Sequence, residues 1–124
     1  MNNQRPVNLN LLTIRQPIPA IVSILHRISG LVLFILIPFA LWGFSYSLSS
    51  QDNFQDLHDK LTTPFMKCFV LLMLAPFIYH FVAGIRHLLL DFNIGVELKS
   101  GRLSSILTLV ISFILFLLAG VYIW

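Results

Sequence analysis

Apolar positions in this chain fall into three long runs, and charge rather than periodicity marks where each run stops. No charged residue occurs between Ile28 and Leu48 or between Leu103 and Trp124, and the run from Pro64 to about Leu90 is broken only near its ends and at His80. Each run approaches the roughly 20 residues a helix needs to cross a bilayer core of about 30 Å. The pattern therefore predicts an all-α chain with three transmembrane helices, over about 20–48, 64–90 and 103–124. A polar segment, 1–19, precedes them.

The stretches between the runs carry the turn signals. Ser49 to Thr63 is polar and acidic, with Asp52, Asp56 and Asp59 against Lys60, and reads as a solvated loop or a short surface helix. Asp91 to Arg102 contains Asn93, Gly95 and Gly101 together with Glu97, Lys99 and Arg102, and reads as the second connection. Pro38 and Pro76 lie inside helical runs, where each removes a backbone hydrogen bond and favours a bend. At the N-terminus, Pro6, Pro17 and Pro19 oppose a continuous helix. That segment is expected along the membrane surface, with Val7 to Ile14 either an extended piece docking on a soluble partner or a solvated tail.

Composition agrees and removes several function classes. The 124 residues are 57% hydrophobic and 10% charged, whereas soluble domains carry about 25% charged residues. One small membrane-anchor domain is expected. Three helices enclose little interior, so the chain should belong to a larger, heteromeric helix bundle. The lone Cys68 allows no intrachain disulfide and no thiolate set for an iron–sulfur cluster or structural zinc. With no C-x-x-C-H, any haem would be held non-covalently, and with no glycine-rich nucleotide loop, flavin chemistry belongs on another chain. The net charge of +3 reflects orientation rather than nucleic-acid binding. No cleavable signal peptide is recognisable, and the first helix reads as retained. Arg5, Arg15, Arg27, Arg86, Lys99 and Arg102 gather on the side of the N-terminus and second connection, against Lys60 and Lys67 on the other. This places the N-terminus in the cytoplasm and the C-terminus outside.

Two stretches at that cytoplasmic side carry the chemistry: Ser23 to Gly30, S-I-L-H-R-I-S-G, and Tyr79 to Asp91, Y-H-F-V-A-G-I-R-H-L-L-L-D. In the second, His80, Gly84, His87 and Asp91 form one helical stripe, from which Arg86 points away. His80 lies about 15 Å from the helix end at 1.5 Å per residue, too deep to reach the headgroups. A polar residue at that depth normally faces a partner or a functional cavity. It is either a metal or haem ligand or an interhelical hydrogen-bonding residue. Six-coordinate haem needs nitrogen ligands on opposite faces of the iron, and His80 and His87 share one face about 10 Å apart. If haem is bound, one helix supplies half of its site, and the second ligand is expected from another chain. In the first stretch, His26 and Arg27 suit haem propionates, since guanidinium and carboxylate form a charge-assisted pair. Ser23 and Arg27 suit the carbonyl oxygens of a quinone. The plainer readings are an Arg27 that snorkels to the interface and a Ser23 bonded to its own helix backbone.

Together with R-P-V-N-L from Arg5, these motifs make the chain resemble the cytochrome b556 membrane-anchor subunits of succinate dehydrogenase, respiratory complex II. The resemblance extends over length, helix number and motif order. It implies a second small anchor subunit, an iron–sulfur subunit and a flavoprotein subunit in a bacterial inner membrane, with ubiquinone reduced near the cytoplasmic face. It further implies that His80 is the axial ligand of a haem b shared with the second anchor and that Ser23 and Arg27 stand at the quinone. His26 and Arg27 are then implied near the propionates, with His87 in the same region. Leu90 and Asn93 depart from the pattern at its end. No catalytic residue for succinate oxidation is expected in this chain. Two alternatives stay open: an anchor of fumarate reductase, and a structural adaptor without cofactor in which His80 only joins helices. A transporter is disfavoured by the absence of a repeat and of paired intramembrane carboxylates.

Overall fold

A computed structural model describes residues 16–124. Arg5, Arg15 and the Val7 to Ile14 segment lie outside them. Four helices follow in order: α1 (Ile18–Ser49), α2 (Gln51–Leu61), α3 (Pro64–Asp91) and α4 (Leu98–Ile123). Among the described residues there is no strand, and α1, α3 and α4 are each long and apolar enough to cross a membrane. The expected fold class of three membrane helices is what the chain adopts.

Local chemistry explains the boundaries. Pro17 and Thr63 precede α1 and α3, and Pro19 and Pro64 occupy their first turns, where a missing N–H costs nothing. Ser50 caps α2 by accepting from the Asn53 N–H at 3.1 Å, so the first connection is a short helix rather than a loop. The α3–α4 turn is made by Asn93 and Gly95, whose φ angles of 60° and 80° lie in the left-handed region. Asparagine and glycine enter that region at least cost. Helix α4 starts five residues before the uncharged run, because a helix can continue past the membrane boundary while Lys99 and Arg102 stay exposed. Both α1 and α3 stay helical through Pro38 and Pro76.

Helix α3 is the middle element. It packs on α1 along one side and on α4 along another, while α2 folds back against the outer ends of α1 and α3. The hydrophobic core is minimal: among the described residues, only Val22 and Ala83 are apolar side chains that are buried. Large side chains such as Phe34 and Leu98 are 73% and 93% exposed. That outer surface belongs against lipid or other membrane helices. What the chain does bury at its helix contacts is polar, namely Ser29, Arg86, Ser105, Thr108 and Ser112.

Candidate functional site

Along α1, Val22, His26, Ser29 and Gly30 recur at helical spacing and face α3. From α3, Tyr79, His80, Gly84 and His87 answer them. The Tyr79 hydroxyl donates to the Val22 carbonyl at 2.8 Å and fixes the two helices in register. Below this tie, the His26 ring stacks on His80 with centroids 4.1 Å apart and an interplanar angle of 14°. His87 lies on the other side of His26, tilted by 42°, at 4.8 Å. A row of three imidazoles therefore fills the α1/α3 seam.

Two glycines make room for the row. A Cβ on Gly30 would come within 2.9 Å of His80 Cε1, and one on Gly84 would meet His26 Nε2 at 3.5 Å. Each glycine thus faces an imidazole of the opposite helix. The flat group beside Gly84 is the His26 ring.

The proton position on His80 follows from its neighbours. Nδ1 lies 3.1 Å from the His26 carbonyl oxygen and 3.0 Å from Ser29 Oγ. A carbonyl only accepts, and the Ser29 hydroxyl already donates to that same carbonyl at 2.8 Å. Nδ1 must therefore carry the proton. Nε2 is left with its lone pair and has no hydrogen-bond partner among the described residues. A backbone carbonyl holding Nδ1–H while Nε2 stays free is the arrangement that orients histidine ligands of metals. No group of three or more metal-ligating side chains occurs among the described residues, so His80 offers one nitrogen and not a complete metal site.

Elsewhere in the row, satisfaction is incomplete. His26 Nε2 and His87 Nε2 are buried without a partner, and an unpaired buried polar atom costs about 1–3 kcal/mol. His26 lies deeper in the seam than its neighbour Arg27 had suggested, with Arg27 itself exposed. Ser23, half-buried, makes no hydrogen bond to a described residue. In contrast, Ser29, Ser104, Ser105 and Ser112 donate to carbonyls three or four residues back. The plain reading of Ser23 as a hydroxyl bonded to its own helix is not what the structure contains.

Sequence comparison decides what kind of protein carries this seam. Residues 1–119 match the succinate dehydrogenase/fumarate reductase transmembrane subunit family. The chain is 42% identical to the succinate dehydrogenase cytochrome b556 subunit of Coxiella burnetii over the full length of both. The chain belongs to this family. Other similar relatives are the cytochrome b556 subunit of Rickettsia bellii, 31% identical over 83% of this chain and 80% of the relative, and the cytochrome b560 subunit of Porphyra purpurea, 32% identical over 80% and 81%. It is therefore a multi-pass membrane subunit of an enzyme complex, whose other subunits are its partners. For a transmembrane subunit of this family, the sequence motifs had marked Ser23, His26, Arg27, His80 and His87. Ser29 and Tyr79 went unassigned, because their roles depend on which residues α1 and α3 bring opposite each other. The one available signal was the helical spacing of Ser29 from His26.

Proposed function

We propose that the chain is a haem b- and quinone-binding membrane anchor of succinate:ubiquinone oxidoreductase, forming a single membrane-anchor domain that attaches the flavoprotein and iron–sulfur subunits to the bacterial inner membrane. The observation that carries this reading is the His80 imidazole, protonated at Nδ1 by its bond to the His26 carbonyl and bare at Nε2. The cytochrome b556 names of the Coxiella burnetii and Rickettsia bellii relatives support the same cofactor.

In this reading His80 Nε2 would hold the haem iron from this chain, and a second small anchor subunit would supply the other ligand. Bound haem supplies one-electron chemistry. The residues of this chain orient and tune it. Ser29 and the His26 carbonyl hold the His80 ring, and Gly30 keeps the space beside Cε1 open. Arg27, exposed at the end of the row, offers a planar cationic donor to propionates, and His26 and His87 complete that polar region. Ser23 and Arg27, one turn apart on α1, present a free hydroxyl and a guanidinium to the carbonyl oxygens of ubiquinone, where negative charge develops on reduction. The N-terminus lies in the cytoplasm and the C-terminus in the periplasm, which brings this end of the bundle to the soluble subunits.

The test uses the purified complex. Arg27→Lys keeps the charge and loses the two-pronged donor geometry. Its quinone reductase activity should fall by about tenfold to a hundredfold, the weight of a charge-assisted hydrogen bond, while succinate-dependent reduction of a water-soluble dye stays at the wild-type level. Equal loss of both activities, or of neither, would contradict contact between Arg27 and the quinone.

A further inference from the structure

Arg86 is a buried cation surrounded by neutral partners. It is 7% exposed in the α3/α4 seam, where a charge is costly. Its partners among the described residues are Ser104 Oγ at 3.1 Å and the Gly101 carbonyl at 3.4 Å. The ion pairs of the described residues both lie on α2, and the carboxylates nearest in sequence, Asp91 and Glu97, are exposed and take no part in one. Gly101 stands in the first turn of α4, so the guanidinium also lies against the electropositive end of that helix. Two positive features side by side are destabilising unless an anion joins them.

An apolar groove leads away from this point. It holds about 350 Å³ between Ile85 and Leu89 on α3 and Leu107, Ile111 and Leu115 on α4, with Arg86 and Ser104 at its head. A smaller hollow of about 180 Å³ continues from Arg86 and Ser104 towards Gly95 and Ser100 at the membrane surface. From Ser104 to Leu115 the helix rises about 16 Å at 1.5 Å per residue. That is roughly half of a bilayer core of about 30 Å, the depth of one leaflet. A transmembrane partner helix would need a groove running through both.

We propose that the α3/α4 groove binds an anionic phospholipid of the adjacent leaflet, with its phosphate on Arg86 and one acyl chain lying against Ile85, Leu107 and Ile111. A cation at the interfacial end of an apolar trough one leaflet deep matches the layout of such a lipid, with its charge at the surface and its chain below.

The experiment strips the intact membrane complex of lipid by detergent exchange, offers phosphatidylglycerol or phosphatidylcholine, and counts retained lipids by native mass spectrometry. Wild type should retain the anionic lipid by about fivefold over the zwitterionic one, the weight of one cation at a membrane surface. Arg86→Lys should keep that preference and Arg86→Gln should bring the ratio to unity. Ile111→Trp, which fills the trough and leaves the Arg86–Ser104 bond in place, should lower retention of both lipids. Equal retention of the two lipids by wild type overturns the proposal. So does a preference that survives Arg86→Gln, or an Ile111→Trp complex that holds as much lipid as wild type.

Discussion

The two seams of α3 are built on opposite terms. Towards α4, Arg86 of α3 bonds to Ser104 and Gly101, and α4 itself buries small residues, Gly101, Ser105, Thr108 and Ser112. The three hydroxyls among them donate to carbonyls of their own helix at 2.7–2.9 Å. Small side chains let membrane helices approach closely, and a hydroxyl satisfied by its own backbone asks nothing of a neighbour. Towards α1 the contact is a row of imidazole rings resting on glycines, in which His26 Nε2 and His87 Nε2 have no partner. One helix therefore carries a seam whose hydroxyls are satisfied, with Arg86 beside them, and a second seam in which two imidazole nitrogens have no partner among the described residues.

Substitutions at each seam should separate the two roles. The largest effect is expected at the α3/α4 contact. Ser105 is completely buried, and Ser105→Leu would have to push α4 away from α3, at about 1–3 kcal/mol for overpacking. The yield of assembled complex should fall, and dye reductase activity, quinone reductase activity and haem content should fall with it in proportion. A Ser105→Leu complex assembled at wild-type yield would break the comparison from the packing side.

A narrower effect is expected at the α1/α3 contact. In Gly30→Ala the new Cβ would meet His80 Cε1 at 2.9 Å, and the ring cannot swing away freely because Nδ1 is held by the His26 carbonyl and Ser29. The complex should assemble, with haem occupancy reduced by about tenfold or more, as when a residue that orients a metal ligand is disturbed. Normal haem content in Gly30→Ala would mean that the space beside His80 has no role in presenting it.

The smallest effect belongs to α2, which borders neither seam at the site end. Lys60 donates to Asp56 Oδ2 at 2.6 Å and the Tyr46 hydroxyl does so at 3.0 Å. Lys60 and then Tyr46 hold the Asp56 carboxyl below its usual range, and Asp56 holds the Lys60 ammonium above its own. A depressed carboxyl pKa contributes stability above the ordinary carboxylate value, lost as pH falls through the lowered one. A raised ammonium pKa contributes below the ordinary ammonium value, lost as pH rises through the raised one. The contact is thus complete from about pH 4 to about pH 10. Because the pair faces solvent, with the Lys60 and Asp56 side chains 64% and 40% exposed, Asp56→Asn should leave the melting temperature of the complex within error of wild type at pH 7. A clear drop would give α2 a structural weight that this geometry does not contain.

Much of this was legible in the chain itself. Three apolar runs of membrane length announced three spans, since nothing else in 124 residues could accommodate so much apolar surface. Helical spacing put His80, Gly84 and His87 on one face, and the same spacing turned Arg86 away, towards what proved to be α4. What spacing along one helix cannot reveal is the register between two. That His80 meets the His26 carbonyl and Ser29, that Gly30 lies beneath its ring, and that Tyr79 reaches Val22 all depend on how α1 and α3 are set against each other. The start of α4 at Leu98 was missed for a related reason: charge marks where a helix leaves the membrane, not where its backbone begins to coil.

The most direct measurement replaces the proposed ligand with a different one. In purified His80→Met complex, haem b is expected to stay bound with a midpoint potential higher than in wild type, because a methionine ligand in place of histidine favours the reduced iron. A spectrum and potential identical to wild type would contradict it, because the iron would then be held without His80.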